Sequence, residues 1–211
     1  ALIADHLKPG DVFVDIGANI GQHSLFAVCL VGDTGKVISF EPNKAIAKQL
    51  HQSIIKNGFT TISLHEIGLS NKKEDLELFV PKDNAGGASV SPYSEDTVSQ
   101  SIHLEKGDLL LQGEEKISFI KIDTEGHEPE VVEGLQGVLR VKRPIVLLEY
   151  SPIFWKNTPK ETGVRLITAL HVLGYTIMDI EDNNKIIKDV HSWVYSFTKS
   201  QTNLICIPSV A

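Results

Sequence analysis

Short apolar runs alternate with longer amphipathic stretches along the chain, a pattern that predicts βα units assembled on a parallel sheet. Val12 to Ile16 is a buried-strand run closed by Gly17, and Ile20 to Val31 is apolar enough for a largely buried helix stopping at Gly32. Val37 to Phe40 predicts a second strand. Asn43 can cap the next helix, with Ile46, Leu50 and Ile54 on one face and Asn57-Gly58 as its stop. Ile62 to Ile67, Phe119 to Ile122 and Ile145 to Leu148 predict the third, fourth and fifth strands, the last opened by Pro144. Between the fourth and fifth runs one helix, carrying Val131, Val132, Leu135, Val138 and Leu139, is expected, with Pro129 in a first turn that does not need its N–H. A helix from about Lys160 to Leu173 ends at Gly174, and Tyr175 to Ile180 and Leu204 to Ile207 complete the strands.

Residues 71–117 break this rhythm and read as an insertion between strands three and four of a single domain, 1–211. Within them Leu76 to Val80 predicts a strand, Lys82 to Gly87 a turn, Ala88 to Val90 a returning strand, and Ser91 to Gln100 a polar loop. Long insertions in α/β enzymes often serve as lids or substrate loops. A solvated excursion is the plain alternative.

Composition narrows the classes. A chain of 211 residues, 42% hydrophobic and 22% charged, suits one α/β domain with one sizeable core. The net charge of -7 provides no large basic field, so no nucleic-acid partner is expected. Cys29 and Cys206 stand in apolar runs and read as small buried hydrophobes, without the spacing of a zinc site. Such cysteine usage suits a reducing compartment, and a cytoplasmic location is expected. No apolar run approaches the ~18 residues of a membrane span, and no signal peptide is visible. Ala1 stands close to the first motif, as in an excised or trimmed domain.

That motif is Asp15-Ile16-Gly17-Ala18-Asn19-Ile20-Gly21. A glycine-rich turn from strand to helix is expected to aim backbone N–H groups at a ligand. In a dinucleotide fingerprint the second glycine lets a pyrophosphate approach the backbone, but here Asn19 occupies that place. Asp15 is unfavourable beside a pyrophosphate and favourable beside the ammonium and sulfonium of S-adenosylmethionine. Glu41 follows the second strand about twenty residues on, where an acid can hold ribose hydroxyls. Cofactor contacts are therefore expected from Asp15, Gly17, Ala18, Asn19, Gly21, Glu41 and Pro42, with Ile67 and Gly68 near an adenine. Both carboxylates are expected at a solvated strand end.

The fourth strand runs into Lys121-Ile122-Asp123-Thr124-Glu125-Gly126-His127-Glu128, next to the reactive end of a ligand held by the first. His127 is the first choice for a general base, since an unperturbed imidazole titrates at ~6.5. Asp123 and Glu125 are alternatives. Acids that merely meet a helix dipole are the structural alternative, which suits Glu128 better than Asp123. His23, His51, His65 and His171 read as ordinary helix or strand residues. Asp123 and Glu149, on neighbouring strand ends, make too small an oxygen set for magnesium, and no metal is expected.

The Val14 to Gly21 segment, Phe40-Glu41-Pro42, and Lys121 to Glu128 with Gly134 together resemble the FkbM family of methyltransferases. The Asn84 to Ser89 turn and the Leu148-Glu149 strand end resemble it too. The resemblance implies a Rossmann-like class I methyltransferase fold: a doubly wound, mostly parallel, seven-stranded sheet whose last strand is antiparallel. It further implies S-adenosylmethionine as donor and transfer to a hydroxyl oxygen, since family substrates include sugar units of glycans and polyketide macrocycles. On this reading a sugar, glycan or polyol-like acceptor meets Asn84, Ser89 and Glu149 in a pocket rich in carboxylate, amide and hydroxyl groups. The upstream helix that often covers the cofactor in this family would be short or missing. Two rivals stand beside it: an NAD-dependent oxidoreductase, which Asn19 and Asp15 oppose, and a non-catalytic binding module on the same fold.

Overall fold

The computed structural model describes residues 2–82, 87–90, 96–155 and 157–209. A short helix α1 (Leu2–His6) precedes β1 (Val12–Ile16), α2 (Gln22–Val31), β2 (Lys36–Phe40), α3 (Lys44–Asn57) and β3 (Ile62–His65). A second group follows: β4 (Gly68–Ser70), β5 (Glu74–Pro81), β6 (Thr97–Lys106) and α4 (Gly107–Leu111). The chain then returns through β7 (Phe119–Ile122), α5 (Glu128–Gly134), α6 (Gln136–Lys142), β8 (Ile145–Tyr150), a 3₁₀ turn (Pro152–Phe154) and α7 (Pro159–Val172). It ends with β9 (Tyr175–Asp179), β10 (Lys185–Ile186), α8 (Val190–Ser196) and β11 (Thr202–Pro208).

The main sheet has the order β3-β2-β1-β7-β8-β11-β9-β10. Strands β3 through β8 pair in parallel, and β11 enters antiparallel between β8 and β9. The expected seven strands are present, and the two-residue β10 adds an eighth at the edge through a tight turn from β9. Phe13, Val14, Ile16 and all of β7 are buried, as befits central parallel strands covered on both faces. The chain moves outward from β1 to β3 on one side and resumes at β7 on the other. The tips of β1 and β7 therefore meet at the switch point, where open α/β sheets bind ligands.

Several expectations change. Helix α2 starts at Gln22 rather than Ile20, because Asn19 (φ 52°) and Gly21 (φ 92°) are left-handed and cannot belong to a helix. The third strand ends at His65, whose ring stacks on Phe40 with centroids 5.0 Å apart. The single helix expected after the fourth strand is two, divided at Leu135. The second start is capped from afar: Asp108 of α4 accepts the N–H groups of Gly137 (3.1 Å) and Val138 (2.9 Å). Cys206 is buried as expected, whereas Cys29 is exposed.

The inserted region forms its own three-stranded sheet, β4-β6-β5, beginning at Gly68. Thr97 to Gln100, expected within a polar loop, instead pair with β5 from Pro81 to Leu78. Backbone pairing suffices there without alternating apolar side chains, and alternation appears only further on, at Ile102 and Leu104. Those two and Leu78 form a small core, with Ala88 and Val90 packed against it. The expected returning strand at Ala88–Val90 contributes a single bridge, Ser89 to Phe79. Asn84 lies outside the described residues. Among the described residues no helix is long and apolar enough to cross a membrane.

Candidate active site

The glycine turn after β1 folds because its N–H groups find acceptors within the protein. Gly17 and Ala18 both donate to the Phe40 carbonyl at 3.0 Å, and Gly21 donates to the Ala18 carbonyl at 2.9 Å. Asn19 donates to Glu41 Oε2, and the Asn19 side chain accepts the Ile20 N–H, each at 2.8 Å. Asparagine tolerates the left-handed conformation required there. Gly17 (φ 78°) leaves no room for a Cβ, which would overlap the Asp123 carbonyl oxygen; the β1 and β7 tips touch at this point. The expected cradle of outward-facing amides is therefore absent from residues 17–21. The carboxylate residues that line the cleft come from outside the turn: Glu41, Asp123 and Glu125.

Glu41 is one of them. Its Oε1 accepts the Asn43 N–H, also at 2.8 Å, so the carboxylate ties the turn to the cap of α3 while still facing the cleft. Burial, only partly offset by these two bonds, pushes its carboxyl up to about 6. Neither Glu41 nor Asp15 is solvated as expected: they are 8% and 0% exposed. Asp15 lies a layer beneath the cleft wall. Its Oδ2 accepts from Ser24 Oγ (2.5 Å), which in turn bonds Ser39 Oγ (2.8 Å), while Oδ1 has no partner within the protein. Burial raises the Asp15 pKa. Lys121 lies nearby and pairs with Asp123 at 2.9 Å. Burial opposes its charge, but Asp15 and Asp123 outweigh burial and hold its pKa above the lysine range.

Around the β7 tip the structure gathers three carboxylates. Asp123, Glu125 and Glu149 each offer an oxygen within 4.8 Å of the others. Burial, then repulsion by Asp123, raises Glu149 to about 7; burial with repulsion from Asp123, Glu149 and Glu128 raises Glu125 to about 8. Glu149 is otherwise held by Ser151 Oγ (2.7 Å) and Gln201 Nε2 (3.1 Å). Glu128 is fully buried and raised to about 7 by burial, yet its Oε1 accepts from Thr124 N, Thr124 Oγ1 and Gly126 N at 2.9–3.0 Å.

His127, the expected base, is 9% exposed. Its Nε2 lies 3.1 Å from Ser70 Oγ and its Nδ1 3.8 Å from Glu130. Its Nε2 contact ties the loop to β4, and burial lowers its pKa.

A cleft connects these features. Gly17, Asn19, Glu41 and Pro42 line it together with Asp123, Thr124, Glu125 and His127. The small sheet closes it with Leu78, Ala88, Val90, Ile102 and Leu104. The model of the methyltransferase FkbM domain family matches residues 15–177, from the buried aspartate of β1 through β9.

The chain belongs to the FkbM methyltransferase family.

A curated relative, the hexuronic acid methyltransferase AglP of Haloferax volcanii, is 31% identical over 161 residues, covering 75% of this chain and 64% of its own length. A solved FkbM methyltransferase from Methylobacillus flagellatus KT superposes with a TM-score of 0.60 at 18% identity, over 93% of this chain and 43% of that one. Aeropyrum pernix fibrillarin, solved with natively bound S-adenosyl-L-methionine, superposes with a TM-score of 0.55 at 11% identity, over 96% of this chain and 68% of that one. This chain thus spans less than two thirds of the first two proteins, and the two structural likenesses establish the class I methyltransferase fold.

Of the residues expected at the site, Gly17, Asn19, Glu41, Pro42, Gly68, Asp123, Glu125 and His127 line the cleft. Asp15, Ala18, Gly21, Ile67 and Glu149 do not line it. Ser89, expected to meet the substrate, is fully buried and donates to the Glu125 carbonyl at 2.7 Å. The aliphatic wall from β5 and β6 was missed, and so was Trp155, whose Nε1 donates to the Gly126 carbonyl at 2.9 Å. The strands expected at Leu76 to Val80 and Ala88 to Val90 and the alternation of Ile102 and Leu104 were the available signals for that wall. The pocket is consequently more apolar than the expected carboxylate, amide and hydroxyl surface.

Proposed function

We propose that this chain is an S-adenosylmethionine-dependent O-methyltransferase that acts on a hydroxyl of a sugar or glycan unit. The internal use of the residue 17–21 amides carries the choice of cofactor: a pyrophosphate needs free N–H donors, and the cleft offers Glu41, Asp123 and Glu125 instead. NAD is disfavoured on that ground. A ligand bearing a ribose and positive charge fits Glu41, Asp123 and Glu125, the carboxylate residues that line the cleft. When bound, S-adenosylmethionine supplies a methyl group already activated by the sulfonium charge. The protein then contributes mainly alignment, worth ~7–11 kcal/mol in favourable cases. Asp123 and Glu125 would accept hydrogen bonds from acceptor hydroxyls, and a site built that way rejects analogues lacking them. The sugar acceptor draws support from AglP and the family. Strongly raised carboxyl pKa values clustered in one cleft favour catalysis over a turnover-dead binding module.

No metal is invoked, because Lys121 already supplies a cation beside Asp123. The acidic cleft and the net charge of -7 oppose a phosphate backbone, in keeping with a non-nucleic-acid acceptor and a cytoplasmic enzyme. The test is thermal unfolding with S-adenosylhomocysteine and with NAD, followed by labelled methyl transfer to glycans, catechols and nucleotides with and without EDTA. S-adenosylhomocysteine at ~100 times its Kd should add about 2.7 kcal/mol. Stabilisation by NAD alone would defeat the cofactor assignment, and transfer confined to nitrogen would defeat the acceptor.

A further inference from the structure

Glu125 sits in an unfavourable place twice over. Its backbone is left-handed (φ 51°), rare for a glutamate and kept only where surroundings impose it. Its side chain faces the cleft among like charges, with Asp123 and Glu149 oxygens within 4.8 Å.

The bend is fastened on every side. Glu128 Oε1 holds the amides of Thr124 and Gly126, the residues on either side of Glu125. Trp155 Nε1 donates to the Gly126 carbonyl (2.9 Å), and Gly126 packs so closely on Phe154 that no Cβ would fit. From the inserted region, Ser89 Oγ donates to the Glu125 carbonyl itself (2.7 Å). Such fastening serves a side chain whose position matters.

We propose that Glu125 is the catalytic residue that takes the acceptor's proton, and that Ser89 is the positioning residue through which the inserted sheet holds it. In that step the acceptor oxygen bonds the methyl carbon as the carbon–sulfur bond breaks, with the electron pair remaining on sulfur. The acceptor O–H bond breaks as well; its electrons stay on oxygen and its proton passes to the Glu125 carboxylate.

The surroundings suit that role. Glu125 faces Asp123 and Lys121 from β7, Glu149 from β8 and Glu128 from α5, and only Lys121 opposes proton uptake. Glu125 therefore holds its proton near neutrality, up to about pH 8. Positive charge entering the cleft releases the proton, and neutralisation of that charge restores the affinity for it. The carboxylate is thus ionised when transfer begins and basic when a proton must be received.

This inference rests on the proposed donor. Its test is calorimetric titration of the whole chain with S-adenosylmethionine and with S-adenosylhomocysteine at pH 7, in phosphate and in Tris, whose ionisation enthalpies differ. Binding of the sulfonium compound should release most of one proton per site, and binding of the neutral thioether much less. That difference should vanish in Glu125→Gln, with Glu125→Asn as a second variant that tolerates left-handed backbone. Ser89→Ala should shift the pH at which the proton is released, a readout that a merely structural serine would leave unmoved. Failure of both compounds to bind would defeat the donor assignment. Binding of both with equal proton release, or a difference that persists in Glu125→Gln and Glu125→Asn, would overturn the role of Glu125.

Discussion

Replacing Glu125 by glutamine should stabilise the ligand-free protein, and by an amount that grows with pH. The folded carboxyl titrates at about 8 against a usual value of 4.5. Between those values the fold retains a proton that the unfolded chain has released, so raising the pH works against the fold. The favourable protonated state is fully present below pH 4.5 and lost as pH rises through about 8. Glutamine does not titrate and escapes the loss. Each unit is ~1.36 kcal/mol, but the side chain is only half-buried, and solvent screening reduces the sum to about 1–3 kcal/mol. For a domain of this size that is ~2–12 °C in Tm at pH 8, falling towards zero near pH 4.5. Thermal melts of parent and variant by circular dichroism at pH 5 and pH 8 measure the difference. A gap of equal size at both pH values would refute the crowding of carboxylates around Glu125.

Two further outcomes follow from the packing. Gly126→Ala places a Cβ against Phe154 at a φ of 106°, and should cost about 2–5 kcal/mol and weaken S-adenosylhomocysteine binding by displacing the Glu125 loop; an unchanged Tm would contradict this packing. In the native protein a thiol reagent should modify Cys29 and spare Cys206, which burial shields and whose pKa it raises; mass spectrometry showing one adduct before unfolding and two after would bear this out, and rapid double labelling would contradict it.

The local signals that depend on one stretch of chain were legible in the sequence. Apolar runs marked β1, β2, β7 and β8, the Asn43 side chain caps α3 as expected by accepting the Ala45 N–H, and Gly58 ends it. The glycine turn and the acids beyond β2 and β7 lie at strand ends that share one cleft, because residue order and the handedness of βα units leave the sheet few arrangements. What only the tertiary structure decided were partners distant in sequence. Asp15 and Glu41 looked solvated because a strand end usually is, but Ser24, Asn43 and the neighbouring strand tips enclose them. His127 lines the cleft as expected, but its burial and its contact with Ser70, 57 residues away, could not be read from the sequence. Ser89 changes likewise from a substrate contact to a support for Glu125, across 36 residues. An ionisable side chain is defined by its desolvation and its neighbours' charges, and the fold sets both by joining segments that the chain keeps apart.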